Sequence, residues 1–291
     1  MAPRPDRGCP PSSTHVVASP PPGDGTGELT VRSGRVKHAK RLATRAFRAD
    51  RREFLAEGPQ AVREALDHGG AVLEVFATAS ATEQHTDLVE AARRGEIEWH
   101  VVADEVVAAI ADTVQPQGVV ARCAMLDRPL ATLLDRSPGF VVVCADIRDP
   151  GNAGAVIRCA DAAGADGVVF VGDSVDPFNP KSVRATVGSL FHVPIAIERD
   201  VVTSLAALQA AGLTILAADG QGDVGLFDDD LDLRVPTAWL MGNEAWGLPD
   251  DVRSLADRVV AVPIFGRAES LNLATAAAVC LYATARARLD G

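Results

Sequence analysis

Three stretches of this chain carry the polar residues that could do chemistry, and each follows an apolar run. In Asp146-Ile-Arg-Asp-Pro-Gly-Asn-Ala-Gly-Ala-Val-Ile-Arg158, Gly151, Asn152 and Gly154 stand where a helix opens. Free backbone N–H groups and the positive end of the helix dipole face outward there. Arg158 lies about one and a half turns further on, and helical side chains lean back toward the N-terminus, so the pattern makes an anion-binding corner. In Gly242-Asn-Glu-Ala-Trp-Gly247 a carboxylate, Glu244, follows a strand end, between two glycines that permit positive φ or close approach to a ligand. In the stretch 262–275, Glu269, Ser270 and Asn272 precede a long alanine-rich helix, with Ser270 read as its N-cap. Taken singly, these stretches also fit a capped helix with a surface arginine, a tight turn and a capped C-terminal helix. A cap at Ser270 does not explain Asn272 in the first turn beside apolar neighbours. The fingerprint GxGxxG and a P-loop lysine are both missing, which excludes an ordinary dinucleotide site and an NTPase. The glycine-rich piece 23–28 follows no strand, opens no helix and reads as linker.

These loops need a frame. From residue 139 onward, apolar runs at 140–145, 167–171, 193–197, 213–218, 238–241 and 259–262 read as strands buried on both faces. Helical patterns lie between most of them, at 153–163, 181–188, 201–211, 250–256 and 271–289. The alternation predicts a parallel sheet with helices on both faces. Ligands bind beyond the carboxyl ends of such strands, which singles out the loops starting at Asp146, Asp219, Gly242 and Ile264. Ahead of this domain (139–291), residues 30–126 predict a smaller α/β unit: helices at 36–49, 59–67 and 83–94, strands at 53–57, 72–77 and 119–125. A linker with a short helix fills 127–138. Residues 1–29, with seven prolines and four glycines, read as a disordered tail.

Composition narrows the class. Apolar residues at 47% and charged residues at 23% suit a soluble globular protein. No apolar run reaches the roughly 18 residues of a membrane span, and no secretory h-region stands behind the N-terminal charges. The five cysteines are odd in number and form no CxxC, which predicts reduced thiols in a cytoplasm and neither a disulfide framework nor a structural zinc site. The net charge is −11, yet residues 30–55 hold nine Lys/Arg and two acids, a basic arm of about +7 on a body of about −18. Such asymmetry marks a polyanion contact or a solvated helix face, and charge alone does not choose between them.

The three loops together, in this order, resemble the SpoU/TrmH family of RNA ribose 2′-O-methyltransferases, within the SPOUT superfamily. The matching stretches are DIRDPGNAGAVIRCADAAGADGVVFV (146–171), MGNEAWGL (241–248) and VPIFGRAESLNLATAAAVCLY (262–282), with DPFNPKSVRATVGSLFHVP (176–194) resembling the segment between the first two. FLAEGPQAVREAL (54–66) is similar to the RNA-binding domain often fused to this family.

The resemblance implies an α/β SPOUT domain with a parallel sheet and a deep trefoil knot, a smaller N-terminal α/β RNA-binding domain, and a homodimer. It implies S-adenosylmethionine held by Ala218, Asp219, Gly242, Val262 and Leu271, no metal, and a polar set of Arg158, Asn152, Glu244, Ser270 and Asn272 at the reaction. The fused domain points to 23S ribosomal RNA. A tRNA substrate and a non-catalytic RNA-binding factor on the same fold are the alternatives. RNA contacts are expected from Arg35, Lys37 and Arg41 of the basic arm, and from Arg184.

Overall fold

The computed structural model describes residues 28–68 and 71–289. The tail expected over 1–29 lies, up to residue 27, outside the described residues. The first unit runs α1 (Gly34–Arg41), α2 (Arg45–Arg51), β1 (Glu53–Glu57), α3 (Pro59–Asp67), β2 (Val72–Thr78), α4 (Ala79–Gln84), α5 (Thr86–Arg94), β3 (Glu98–Val102), α6 (Asp104–Ile110) and β4 (Val119–Ala124). Its sheet has the order β1-β4-β2-β3, antiparallel at β1/β4 and β2/β4 and parallel at β2/β3.

Two expected helices are each split. The helix expected over 36–49 breaks between α1 and α2, where the buried Arg48 guanidinium donates to the carbonyls of Leu42 (2.8 Å) and Ala43 (2.9 Å). A side chain there satisfies oxygens that a continuing helix would have used. The helix expected over 83–94 breaks at His85, with φ −116° and ψ 56°. β3 and α6 were not expected: β3 is an edge strand with one buried residue, Val102, and no apolar alternation strong enough to signal it.

α7 (Leu130–Leu134) follows, with Leu130 and Leu133 buried, and the Arg128 N–H donates to Ile195 O at 2.9 Å. The second unit runs β5 (Phe140–Ala145), α8 (Pro150–Ala163), β6 (Gly167–Val171), α9 (Pro180–Thr186), β7 (Ile195–Ile197), α10 (Val201–Ala210), β8 (Thr214–Ala218), β9 (Val224–Gly225), β10 (Thr237–Met241), α11 (Asp250–Arg253), β11 (Arg258–Ala261) and α12 (Leu273–Leu289). The sheet order is β7-β6-β5-β10-β8-β11-β9 and its pairings are parallel.

β5 shows why continuous apolar runs were needed. Phe140, Val142 and Cys144 enter one core and Val141, Val143 and Ala145 the other. α8 and α12 cover the first face, α7 and α10 the second. The Trp239 indole of β10 donates to Thr284 Oγ1 of α12 at 2.8 Å, fixing that helix on its strand. The first core is shared with the N-terminal unit: the Phe54 ring lies 5.0 Å from Phe178 and 6.0 Å from Phe191. Arg48 reaches across to Asp176 with Nε at 2.9 Å and Nη2 at 2.6 Å, both groups buried. The strand ends that carry the three loops are therefore set in one rigid layer.

Candidate active site

The first loop leaves β5 through Asp146, which sits in the left-handed region at φ 53°. Asp149 then caps α8, its Oδ1 accepting from Asn152 N at 2.8 Å, with Pro150 in the first turn. That backbone bond and the Lys181 ammonium at 3.1 Å hold the Asp149 carboxyl below its ordinary value, against a smaller effect of burial. The second loop reaches over to the first. Glu244 Oε1 accepts from Asp149 N (3.1 Å) and Asn152 Nδ2 (3.2 Å), and Oε2 from Arg148 N (3.2 Å). The third loop joins at the same point, because Asn272 Nδ2 donates to Asn152 Oδ1 at 3.1 Å. Glu244, Asn152 and Asn272 thus form one hydrogen-bonded chain linking three strand ends.

Asn272 also corrects the expected cap. α12 begins at Leu273, and Asn272 Oδ1 accepts from Ala274 N (2.9 Å) and Thr275 N (3.4 Å), so Asn272 caps the helix and Ser270 stands exposed in the loop before it. An amide side chain can cap with its oxygen and still donate with its nitrogen, which a serine two residues earlier cannot do from that position. Arg158, exposed on α8, makes no hydrogen bond or ion pair among the described residues. Its guanidinium is the available cation of this corner.

Two residues not singled out in the sequence hold the frame. Asn243, buried, donates from Nδ2 to Asp146 O (2.6 Å) and accepts at Oδ1 from Ala245 N (2.8 Å), stapling the second loop to the first. Asp149 is the other. Both are short polar side chains bonding backbone within a loop, and that Asx habit is the signal that could have found them. Gly242 is required by space: a Cβ there would lie 2.6 Å from the carbonyl carbon of Gly247.

An open cleft of about 400 Å³ lies beside these loops, between Ala218–Gln221 after β8 and Trp246–Leu248 with Arg253. Ala218 and Asp219 line it, and Gly242 lies buried behind it. Val262 and Leu271, both half-buried, follow β11 and precede α12 and are not among its lining residues. The Asp219 carboxylate accepts Gln221 N at 2.9 Å and faces Arg253 at 3.4 Å. Of the expected RNA contacts, Lys37 and Arg41 are exposed on α1, with the Arg41 guanidinium 4.0 Å from the centroid of Phe47. Arg35 instead bonds Glu74 (2.9 Å) and Glu98, and Arg184 pairs with Glu57 (3.3 Å) and Asp112 (2.9 Å) across the two units.

Residues 139–282 match the SpoU rRNA Methylase family, and residues 34–121 match the MRM3-like substrate binding domain. The chain is 32% identical to the 23S rRNA (guanosine(2553)-2′-O)-methyltransferase RlmP of Bacillus subtilis, over 87% of this chain and 96% of that protein. The chain belongs to the SpoU methylase family. A second member, the 23S rRNA (uridine(2479)-2′-O)-methyltransferase of Streptomyces viridochromogenes, is 33% identical over 90% of this chain and 93% of its own. Among solved structures, the AdoMet-bound rRNA methyltransferase of Sinorhizobium meliloti superposes with a TM-score of 0.78 at 33% identity, covering 89% of this chain and 97% of that one. The three linked loops of this SpoU protein are the segments that the family match spans.

Proposed function

We propose that this protein methylates a ribose 2′-hydroxyl of 23S ribosomal RNA, with S-adenosylmethionine as donor. The observation that carries the reading is the Glu244–Asn152–Asn272 chain at three parallel strand ends, with an unpaired Arg158 on the same helix as Asn152. The relatives' 23S rRNA specificity and the match of residues 34–121 to a substrate-binding domain favour this over a tRNA substrate. The intact polar set favours it over a non-catalytic factor.

The residues at the strand ends fit the donor. Gly242 lets the Gly247 backbone pack directly against it, Gly247 lines the cleft with no side chain to fill it, and the cleft wall at Ala218 and Asp219 offers backbone groups and a carboxylate of a sign that suits a cation. Val262 and Leu271 stand outside that cleft, at the two ends of the third loop, and meet the donor from there. When bound, S-adenosylmethionine supplies a sulfonium methyl as the transferable group. A new oxygen–carbon bond forms as the carbon–sulfur bond breaks, and the hydroxyl proton leaves to water or to the RNA phosphate. Arg158 clamps the adjacent phosphate and stabilises the developing 2′-oxyanion. It is not the base, because an arginine side chain stays charged with a pKa above about 12. Asn152, held by Glu244 and Asn272, fixes the first turn of α8 under that arginine, and Ser270 meets the acceptor sugar.

Lys37 and Arg41 contact RNA directly. Arg35 and Arg184 act by holding α1 and α9 in place. The deep trefoil knot and the homodimer belong to the same reading. β11 lies between β8 and β9, which both precede it, and a Cβ at Gly222 would lie 2.6 Å from Ala261 N, as expected where one segment is drawn past another. Phe265 in the third loop and Tyr282 and Leu289 on α12 are exposed apolar side chains that a second copy would cover. A cytoplasmic place of work belongs to the same reading, since the relatives that act on 23S rRNA are bacterial. No helix among the described residues is long and apolar enough to cross a membrane.

The test is to incubate the protein with methyl-labelled S-adenosylmethionine and unmodified 23S rRNA and to map the product. Label on one ribose 2′-oxygen is expected. Label on a base, or none in the RNA, overturns the reading.

A further inference from the structure

A second cavity, of about 180 Å³, lies between the two units and away from the strand ends. Its walls are Leu55, Ile110 and Val120, all buried, and its polar groups are Lys40, Glu57 and Asp112. The volume is below the roughly 300–1,000 Å³ of pockets for drug-sized ligands, which limits an occupant to about the size of one ring system. Glu57 accepts from Asp112 N at 3.1 Å, from Arg184 Nη1 at 3.3 Å and from Thr113 Oγ1, which leaves one of a carboxylate's about four acceptor sites open. Asp112 uses one oxygen on Arg184, at 2.9 Å, and its Oδ1 has no partner among the described residues. The cavity therefore offers acceptors at one end and apolar faces at the sides.

Its surroundings indicate which ring system. Lys40 stands on the rim, and Lys37 and Arg41 lie three residues before it and one after, exposed on the same side of α1. That stripe suits a run of phosphates. Pro180, the first residue of α9, also lines the cavity, and the next residue, Lys181, bonds the Asp149 cap of α8 at 3.1 Å. A nucleotide held in the cavity would thus lie beside α9, which packs on α8, the helix that carries Asn152 and Arg158.

We propose that this cavity is a pocket for one unpaired guanine of the RNA, flanking the nucleotide that is methylated. The inference rests on the reading of the protein as an RNA methyltransferase. Guanine's Watson–Crick edge carries adjacent N1–H and N2–H donors, which face the Glu57 and Asp112 oxygens, while its ring packs between Leu55 and Ile110. Single-stranded bases are commonly read in this way, splayed from the strand and bonded on that edge. Lys37, Lys40 and Arg41 hold the flanking phosphates.

The test uses the full chain and five-residue RNAs of uridine with guanosine, inosine or uridine at the centre, followed by fluorescence anisotropy. Guanosine is expected to bind at least tenfold tighter than uridine, with inosine between, because inosine lacks the N2 amino group. Ala43→Phe, at an exposed position on the cavity wall, fills the mouth and is expected to abolish the difference. Ala109→Leu does the same from the other wall should the first variant fail to fold. Equal binding of the three RNAs, or full discrimination retained in a folded filled variant, overturns the pocket. In parallel, transfer to 23S rRNA is measured. Transfer by the wild type with an unchanged KM in Ala43→Phe refutes the pocket and leaves the function standing, whereas no transfer by the wild type refutes the function.

Discussion

The two sheets of this molecule bury different things. The seven-stranded sheet is apolar on both faces, and its strands carry a single charged residue, the half-buried Arg258 that opens β11, with the other charges in the loops beyond the strand ends. The four-stranded sheet buries Glu74, Glu53 and Arg122 within it. Arg122 bonds both acids, Glu53 also takes His38 at 2.7 Å, and Glu74 also takes Arg35 and His100 at 2.9 and 3.1 Å. His38 and Arg35 come from α1, so this network fastens the basic arm to its sheet. One sheet is a rigid platform for a site in its loops. The other spends internal charge to aim an external one. A group of Glu74, Glu98 and His100 has the donors of a metal site, but the Arg35 guanidinium bonds both acids.

The largest expected effect removes the centre of that network. Glu74→Ala leaves Arg122 buried without one of its partners, and breaking a buried pair from one side costs about 3–5 kcal/mol. Denaturant unfolding should show a loss of that order, and α1 should become accessible to protease. A loss below about 1 kcal/mol would mean that the arm is held by packing alone. Of similar size, on the platform side, Arg158→Ala should lower single-turnover methyl transfer by about 10²–10³-fold, the range for removing an oxyanion-stabilising donor. Cofactor affinity by calorimetry should hardly change. If more than about a tenth of wild-type turnover survives, a barrier change under about 1.4 kcal/mol, Arg158 does not carry the reaction.

Acid sharpens the same contrast. Burial alone would raise the Glu74 carboxyl, but the hydrogen bonds from His100, Arg122 and Arg35 and the Arg122 charge outweigh it and bring the value from 4.5 down to about 2. A carboxyl depressed in the folded state contributes stability that is complete above its unfolded value and fades as pH falls toward the folded one. Stability should therefore decline between pH 4.5 and about 2, and Glu74→Gln should flatten that segment of the curve. An identical slope in the variant would assign acid sensitivity to other carboxylates.

What was legible follows the same division. β5 and β6 were bounded correctly because a strand buried on both faces must be apolar without interruption. β1 and α3 were also correct, the latter because Pro59 marks its first turn. The arm was not legible. Its spacing reads as one helix until Arg48 takes the carbonyls of Leu42 and Ala43, and no local pattern reveals that Arg35 faces Glu74 and Glu98, 39 and 63 residues away. The same holds at the site. Residue types marked Asn152, Glu244 and Asn272, but their joining into one chain depends on parallel strand ends brought together from separations of 92 and 120 residues.

The smallest expected effect separates two duties of one side chain. Asn272 caps α12 with Oδ1 and ties the third loop to Asn152 with Nδ2. Asn272→Ala loses both, and the cap alone is worth about 1 kcal/mol. Asn272→Asp keeps an acceptor for the helix, and a carboxylate near a helix N-terminus is favourable, but it presents a negative oxygen to Asn152 Oδ1. Thermal unfolding should therefore rank Asn272→Asp close to the wild type and Asn272→Ala below it, while both variants slow methyl transfer. Were transfer to follow stability instead, with Asn272→Asp as active as the wild type, the link to Asn152 would be a by-product of the cap, and the platform would owe its alignment to Glu244 and Asn243 alone.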